Sequence, residues 1–236
     1  MGAVAARPAA GRGPAGVAKA VLFDLLSALL DSWSLWDDIA GGEGPGRKWR
    51  FEYLRRTYAT GAYVPYLDLV GDSAAAVGLP RELSRTLEAR WDELAPWPGV
   101  GRVLREIARD RPVGVATNCS EVLGQRAAEL VGAPFSAVVT AETAGCYKPD
   151  PRIYLAGVEA LGARVDDVLF VAGSPLDVEG ATEAGMRVVW HNPAGLAGRA
   201  AERVAVGVLR DLASLPAWLA ARGQNPPGIR AAMHPG

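Results

Sequence analysis

Asp24 closes the apolar run Ala20-Val21-Leu22-Phe23 and is followed by Leu25, Leu26, Ser27 and Ala28. A carboxylate at the carboxyl end of a buried strand faces the crevice in which open α/β sheets bind ligands, so it can attack an electrophile. The residues just beyond it supply no second acid, and a leaving group that must be protonated has no obvious donor there. Stabilising a turn is the ordinary alternative for such an aspartate, but Leu25 and Leu26 are not turn formers.

Three further places carry chemistry. Thr117 and Asn118 offer a hydroxyl and an amide suited to an anionic substrate group or a leaving halide; an N-cap or Asx turn is the alternative, for which Ser120 is the better candidate. Lys148, in a loop before Pro149 and Asp150, can neutralise Asp24 and a bound anion. The chain has only Lys19, Lys48 and Lys148 among 25 basic residues, so a lysine here says more than an arginine. Asp177 follows the turn Gly173-Ser174-Pro175 into a helix, where it can orient Lys148, position water or help bind a cation. An acid in a first helical turn is also favoured by the helix dipole alone.

The elements that position these residues follow from the apolar pattern. Short β-rich runs at Ala20–Phe23, Val113–Ala116, Ala137–Thr140, Val168–Ala172 and Val188–Trp190 alternate with helical segments at Val100–Arg109, Ser120–Val131, Pro151–Leu161 and Asp177–Ala184. That alternation predicts parallel strands joined by crossover helices, and runs apolar on both faces predict a sheet covered on both sides. The expected fold class is α/β: a doubly wound parallel sheet, Rossmann-like, in a three-layer α/β/α sandwich. Asp24, Thr117-Asn118 and the 172–177 stretch fall at strand ends, and with Lys148 they converge on one crevice.

About 90 residues separate the first two strands, more than a crossover needs. Residues 33–97, with Trp, Tyr, Leu and Arg at helical spacing, are expected to form an inserted helical cap over the crevice, and Trp97-Pro98-Gly99 returns the chain to the core. The core then comprises residues 17–32 and 98–222. Residues 1–16 and 223–236 are expected to be disordered, since the first has no apolar signal-peptide core and the second is rich in Pro and Gly.

Composition narrows the partners. A net charge of -1 gives no reason to expect nucleic acid or membrane lipid, and no run approaches the length of a membrane span. Cys119 and Cys146 are expected as free thiols in a cytoplasmic protein. Neither His191 nor His234 has the spacing of a zinc ligand.

The segments Tyr147-Lys148-Pro149-Asp150-Pro151-Arg152-Ile153-Tyr154 and Gly173-Ser174-Pro175-Leu176-Asp177-Val178-Glu179-Gly180-Ala181, with Asp24 at its place ahead of them, resemble the haloacid dehalogenase-like superfamily from about Val21 to Ala217. The resemblance implies Asp24 as the nucleophile, with Lys148 and Asp177 beside it. Phosphatases of that superfamily commonly keep acids where this chain has Leu26 and Gly173. Magnesium prefers several oxygen ligands, and only Asp24 and Asp177 remain as candidates.

The subgroup that lacks the second aspartate and works without metal is the L-2-haloacid dehalogenases. Their cap helix carries a Trp-Arg pair followed by Leu and Tyr; Trp49-Arg50, Leu54, Thr57 and Tyr58 are similar, with Lys48 and Arg47 as register alternatives for the arginine. The resemblance implies that Asp24 displaces halide at C2 while Arg50 receives it. Thr117 and Lys148 would hold the substrate carboxylate, Tyr154 would stand near the site, and water would split the Asp24 ester. Halide departs unprotonated, so Leu26 is compatible with this scheme.

The chain departs from that subgroup at Leu26, Ser27 and Ala28, where an aromatic residue, a glycine and a threonine are usual, and at Ser174, near which an asparagine is usual. Ser27 or Ser174 can substitute for a lost polar contact, and an apolar floor at Leu26 and Ala28 suggests a larger or different organic acid. The leading expectation is a cofactor-free hydrolase acting on a 2-haloacid or a related small organic acid. A magnesium-dependent small-molecule phosphatase, with Asp31 or Glu52 as relocated acid, and a non-catalytic binding protein of the same fold are the alternatives. The aromatic cap packs on the core or pairs between subunits, so a homodimer is compatible with it.

Overall fold

The computed structural model describes residues 17–221; the two expected disordered extensions lie outside the described residues. Strand β1 (Ala20–Phe23) leads into the inserted helices α1 (Ser32–Ile39), α2 (Glu43–Thr60), α3 (Tyr66–Ala76) and α4 (Leu83–Ala89). The chain then alternates through α5 (Val100–Ile107), β2 (Val113–Thr117), α6 (Glu121–Leu130), β3 (Ala137–Thr140), α7 (Ala141–Ala144), α8 (Pro151–Ala160), β4 (Val168–Ala172), α9 (Pro175–Glu183), β5 (Arg187–His191), α10 (Arg199–Val204), β6 (Gly207–Leu209) and α11 (Leu215–Ala221).

All six strands form one parallel sheet in the order β3-β2-β1-β4-β5-β6. Alternate residues feed the two faces. Val21, Phe23, Val115, Leu169 and Val171 pack with α5, α6 and α11, whereas Leu22, Ala116, Phe170, Ala172 and Val188 pack with α8, α9 and α10. The sheet is therefore buried on both sides, as its unbroken apolar runs require. Burying each large side chain of this core contributes roughly 1.5–3 kcal/mol.

The inserted helices share the first of these cores. Trp36, Trp49, Tyr53, Tyr66 and Trp91 join Phe23 and Leu29 in one cluster, so cap and sheet are packed together. Helix α2 buries Trp49, Arg50, Tyr53 and Thr57 on one face. Gly46 permits the close crossing of α1, because a Cβ there would lie 2.3 Å from the Asp37 Cα.

Two backbone seams tie the inserted segment down. Its entry and exit run antiparallel at Leu30 and Pro96, with the Asp31 N–H donating to the Ala95 carbonyl and the Trp97 N–H to the Leu29 carbonyl. A second bridge joins Ala62 to Cys146, and Tyr63 stacks on Tyr147, one residue before Lys148. Both cysteines are free and buried. No helix among the described residues is long and apolar enough to cross a membrane.

Candidate active site

The strand order reverses between β1 and β4, and the crevice outside their carboxyl ends is where such sheets bind ligands. Asp24 sits at that point, its N–H still donating to the Val171 carbonyl of β4 at 2.9 Å. The chain then curls back on the carboxylate. The N–H groups of Ser27 and Ala28 donate to Asp24 Oδ2 at 3.1 and 3.3 Å. The other oxygen, Oδ1, accepts from Lys148 Nζ at 2.9 Å, and the same ammonium donates to Asp177 Oδ2 at 3.0 Å. Asp177 Oδ1 accepts from the Tyr154 hydroxyl at 2.7 Å.

Local sequence explains the placement of Asp177. Ser174 caps α9 by accepting from the Asp177 N–H at 3.2 Å, and Pro175 occupies the first turn, where its missing N–H costs nothing. Asp177 thus points from a helix start back into the crevice. Asp150 caps α8 in the same way, accepting from the Arg152 N–H.

Burial, charge and hydrogen bonding set the protonation of the cluster. Burial would raise the Asp24 pKa, but the Lys148 ammonium and the Ser27 and Ala28 amides bring it below the ordinary carboxylate value. Asp177 goes the other way: burial raises it to about 6 although Lys148 opposes the shift. Lys148 loses solvation but gains two carboxylates, and its pKa is raised. At neutral pH the cluster holds two anions and one cation.

The fourth charge comes from the cap. Arg50 is 1% exposed, lines the same cavity, and donates from Nη2 to Ser27 Oγ at 3.1 Å. Its Nε and Nη1 have no hydrogen-bond partner, and it makes no ion pair among the described residues. Trp33 and Trp36 rings flank it, with centroids 4.8 and 5.1 Å from Cζ. A buried guanidinium with unpaired donors is a costly arrangement that an incoming anion relieves.

Asp24, Leu26, Ser27, Arg50, Asn118, Lys148, Ser174 and Asp177 all line the cavity. Of the register alternatives, Arg47 pairs with Asp37 and Glu43, and Lys48 is exposed. The expectation that Thr117 holds a substrate group is corrected: its hydroxyl turns to Cys119 Sγ, and it does not line the cavity. Asn118 lines the cavity and fixes the lysine segment, its Oδ1 accepting from the Lys148 N–H at 2.8 Å and its Nδ2 lying 3.5 Å from the Lys148 carbonyl. Tyr154 does not line the cavity; it stands behind it, donating to Asp177 and lying with its ring 5.9 Å from Lys148 Nζ.

The cavity measures about 30 Å³, on a scale where one water needs roughly 10–15 Å³, and Ala28 is not part of its lining. Asp31 caps α1 through Ser34, and Glu52 is held down to about 2 by Arg55 and Arg56; neither lines the cavity.

Three further residues of α2 line the cavity; the cap-helix resemblance names Leu54 and Tyr58 without giving them a place in the site, and does not name Tyr53. Tyr53 lines the cavity and donates to the Asn118 carbonyl at 2.7 Å, Leu54 adds an apolar wall, and the Tyr58 hydroxyl sits among Ser174, Tyr154 and Asp177. A helical wheel at the spacing Trp49, Arg50, Tyr53, Leu54, Thr57 would have gathered the first two.

The family profile of haloacid dehalogenase-like hydrolases matches residues 18–185, a span that holds every residue of this cluster. The chain belongs to that family. It is 26% identical over 219 residues to an (S)-2-haloacid dehalogenase of Pseudomonas fluorescens, covering 85% of this chain and 96% of that protein. It is 31% identical over 225 residues to a phosphoglycolate phosphatase of Rhodospirillum rubrum, covering 85% and 90%. The solved L-2-haloacid dehalogenase of Xanthobacter autotrophicus superposes with a TM-score of 0.74 at 24% identity, over 86% of this chain and 98% of that one, a likeness of fold. Membership makes this hydrolase one of a family with both dehalogenase and phosphatase relatives, and the site must discriminate between them.

Proposed function

We propose that this hydrolase releases halide from small 2-haloacids without a metal, through an ester of Asp24. The observation that carries the proposal is Arg50: a buried cation with unpaired N–H donors, lining the same small cavity as the nucleophile. The two arginine and lysine cations balance Asp24 and Asp177, so the cavity is neutral before an anionic substrate arrives.

In this mechanism Asp24 Oδ1 attacks C2 in line with the carbon–halogen bond, and the halide leaves as an anion toward Arg50 with no proton required. Oδ2 becomes the ester carbonyl oxygen. It already lies against the N–H groups of Ser27 and Ala28, donors placed for the oxyanion that forms when water attacks Cγ. Asp177, whose pKa is raised to about 6, takes a proton from the attacking water and returns it to the C2 oxygen as the Asp24 Cγ–Oδ1 bond breaks, giving a 2-hydroxy acid and an Asp24 carboxyl that loses its remaining proton to solvent. Lys148 holds both carboxylates in register throughout.

A magnesium ion, the family's alternative cofactor, does not fit these residues. The Lys148 ammonium sits between the Asp24 and Asp177 oxygens that would have to ligate it. The positions that would add acids are Leu26 and Gly173, and a Cβ at Gly173 would lie 2.3 Å from the Ala28 N. No group of three or more metal-binding side chains occurs among the described residues.

A single turnover of 2-chloropropionate in heavy-oxygen water tests the route. Acyl cleavage puts the heavy oxygen into the Asp24 carboxylate, seen by mass spectrometry of its peptide. Label in the hydroxy acid alone, with none in Asp24, would overturn the ester mechanism.

A further inference from the structure

Asp24 Oδ2 faces two peptide groups, and each is gripped at its far end. The first runs from the Leu26 carbonyl to the Ser27 N–H, the second from the Ser27 carbonyl to the Ala28 N–H. The Ser32 hydroxyl donates to the Leu26 carbonyl, and the Trp97 indole N–H donates to the Ser27 carbonyl at 3.0 Å. Both peptides are trans, so the C=O and N–H of each point in opposite directions within one rigid plane. A donor fixed at the carbonyl therefore sets where the N–H of that same peptide points. It also polarises the group, which makes the N–H a stronger donor.

The next peptide shows the contrast. The Ala28 carbonyl accepts from His191 Nδ1 at 2.6 Å, but the N–H in its plane is that of Leu29, which donates to the Leu25 carbonyl at 3.1 Å. His191 thus holds the same loop without holding a peptide that meets Asp24.

Ser32 and Trp97 stand at the two ends of the inserted segment, and neither lines the cavity. Ser32 is the first residue of α1, and Trp97 donates its backbone N–H to the Leu29 carbonyl beside the bridge of Leu30 to Pro96. The second peptide is also seated on Gly173, where a Cβ would lie 2.3 Å from the Ala28 N and 2.5 Å from the Ser27 carbonyl carbon.

We propose that Ser32 and Trp97 are positioning residues for the hydrolytic step: each holds the carbonyl of a peptide whose N–H binds the Asp24 oxygen that becomes the oxyanion. This rests on the ester mechanism proposed above. Halide is displaced by Oδ1, whereas charge develops on Oδ2 only when water attacks the ester. Removing an anchor therefore lengthens the life of the ester and leaves its formation nearly unchanged.

The test reads halide, hydroxy acid and the Asp24 ester by rapid quench with 2-chloropropionate. Trp97→benzothienylalanine keeps the bicyclic shape and replaces the N–H with sulfur. Ser32→Ala and Ser32→Thr, without and with a hydroxyl, make the same comparison at the first peptide, and His191→Leu is the control. Trp97→benzothienylalanine and Ser32→Ala are each expected to give a halide burst, accumulated ester and an ester lifetime longer by roughly 10- to 100-fold, less than the loss of an oxyanion donor outright. Ser32→Thr is expected to recover most of the hydrolysis rate, and His191→Leu to keep the wild-type lifetime. A wild-type lifetime in Trp97→benzothienylalanine, or one lengthened as much by His191→Leu, overturns the proposal. Should the variants at buried Ser32 fail to fold, the shape-preserving change at half-buried Trp97 decides with the same outcomes. Wild type that releases no halide defeats the dehalogenase mechanism instead, and carbon-13 titration of Asp24 then decides. The Ser27 and Ala28 amides lower the Asp24 pKa, so the anchors predict a higher one in Trp97→benzothienylalanine, and an unchanged one overturns them.

Discussion

Lys148 Nζ lies 2.9 Å from Asp24 Oδ1, a buried ion pair at the end of β1. The same ammonium reaches Asp177 at 3.0 Å, so one side chain holds the nucleophile and the proposed base in register. Replacing it with Lys148→Met leaves two buried carboxylates facing each other. Breaking a buried pair in this way costs about 3–5 kcal/mol. The expected outcome is a large fall in thermal stability, measured by calorimetry, together with loss of turnover.

Arg50 gives the opposite pairing of effects. Desolvating a lone cation costs several kcal/mol, which two flanking indoles offset by about 1–2 kcal/mol each. Arg50→Met is expected to leave the melting temperature equal or higher while halide release falls by roughly 100-fold. A variant that loses stability and keeps its activity would contradict the role given to Arg50.

The pH dependence follows from two opposite shifts. Asp24 has a lowered folded pKa, so its contribution to stability is present above the unfolded value and is lost as the pH falls through the folded one. Asp177 has a raised pKa of about 6, so between its unfolded value and about 6 the folded chain binds the extra proton, and its contribution to stability declines as pH rises through that window. Activity follows the base form of Asp177. The kcat profile is expected to fall on the acid side with an apparent pKa near 6, read as a property of the coupled cluster, and Asp177→Asn is expected to be slow at every pH without that limb.

Gly173 tests the loop. A methyl group there meets the Ala28 N and the Ser27 backbone within 2.5 Å, and overpacking of this kind costs about 1–3 kcal/mol. Gly173→Ala is expected to lower stability by that amount and to reduce kcat, because the amides facing Asp24 must move. Unchanged kcat would show that their placement is not needed.

The sheet was legible because strands buried on both faces read as unbroken apolar runs, and four of the five expected runs match β1 to β4 almost residue for residue. Strand β6 was not legible: three residues, none of them buried, carry too little pattern. Asp24, Lys148 and Asp177 were legible as charged residues placed after apolar strands or a family motif. The Ser27 and Ala28 amides were not, since a backbone donor has no side-chain signature. Thr117 was misplaced because a strand-end hydroxyl can face either the crevice or a neighbouring thiol, and only packing chooses. Helix α2 hid Tyr53 among arginines, and His191 was weighed only as a metal ligand.

The most direct test is halide release from 2-chloropropionate and chloroacetate in the presence of a chelator, for wild type and Asp24→Asn. The ester mechanism predicts release that chelator does not diminish and that falls by at least roughly 10³-fold in Asp24→Asn. Activity that chelator abolishes and magnesium restores, or halide release that survives in Asp24→Asn, would contradict it.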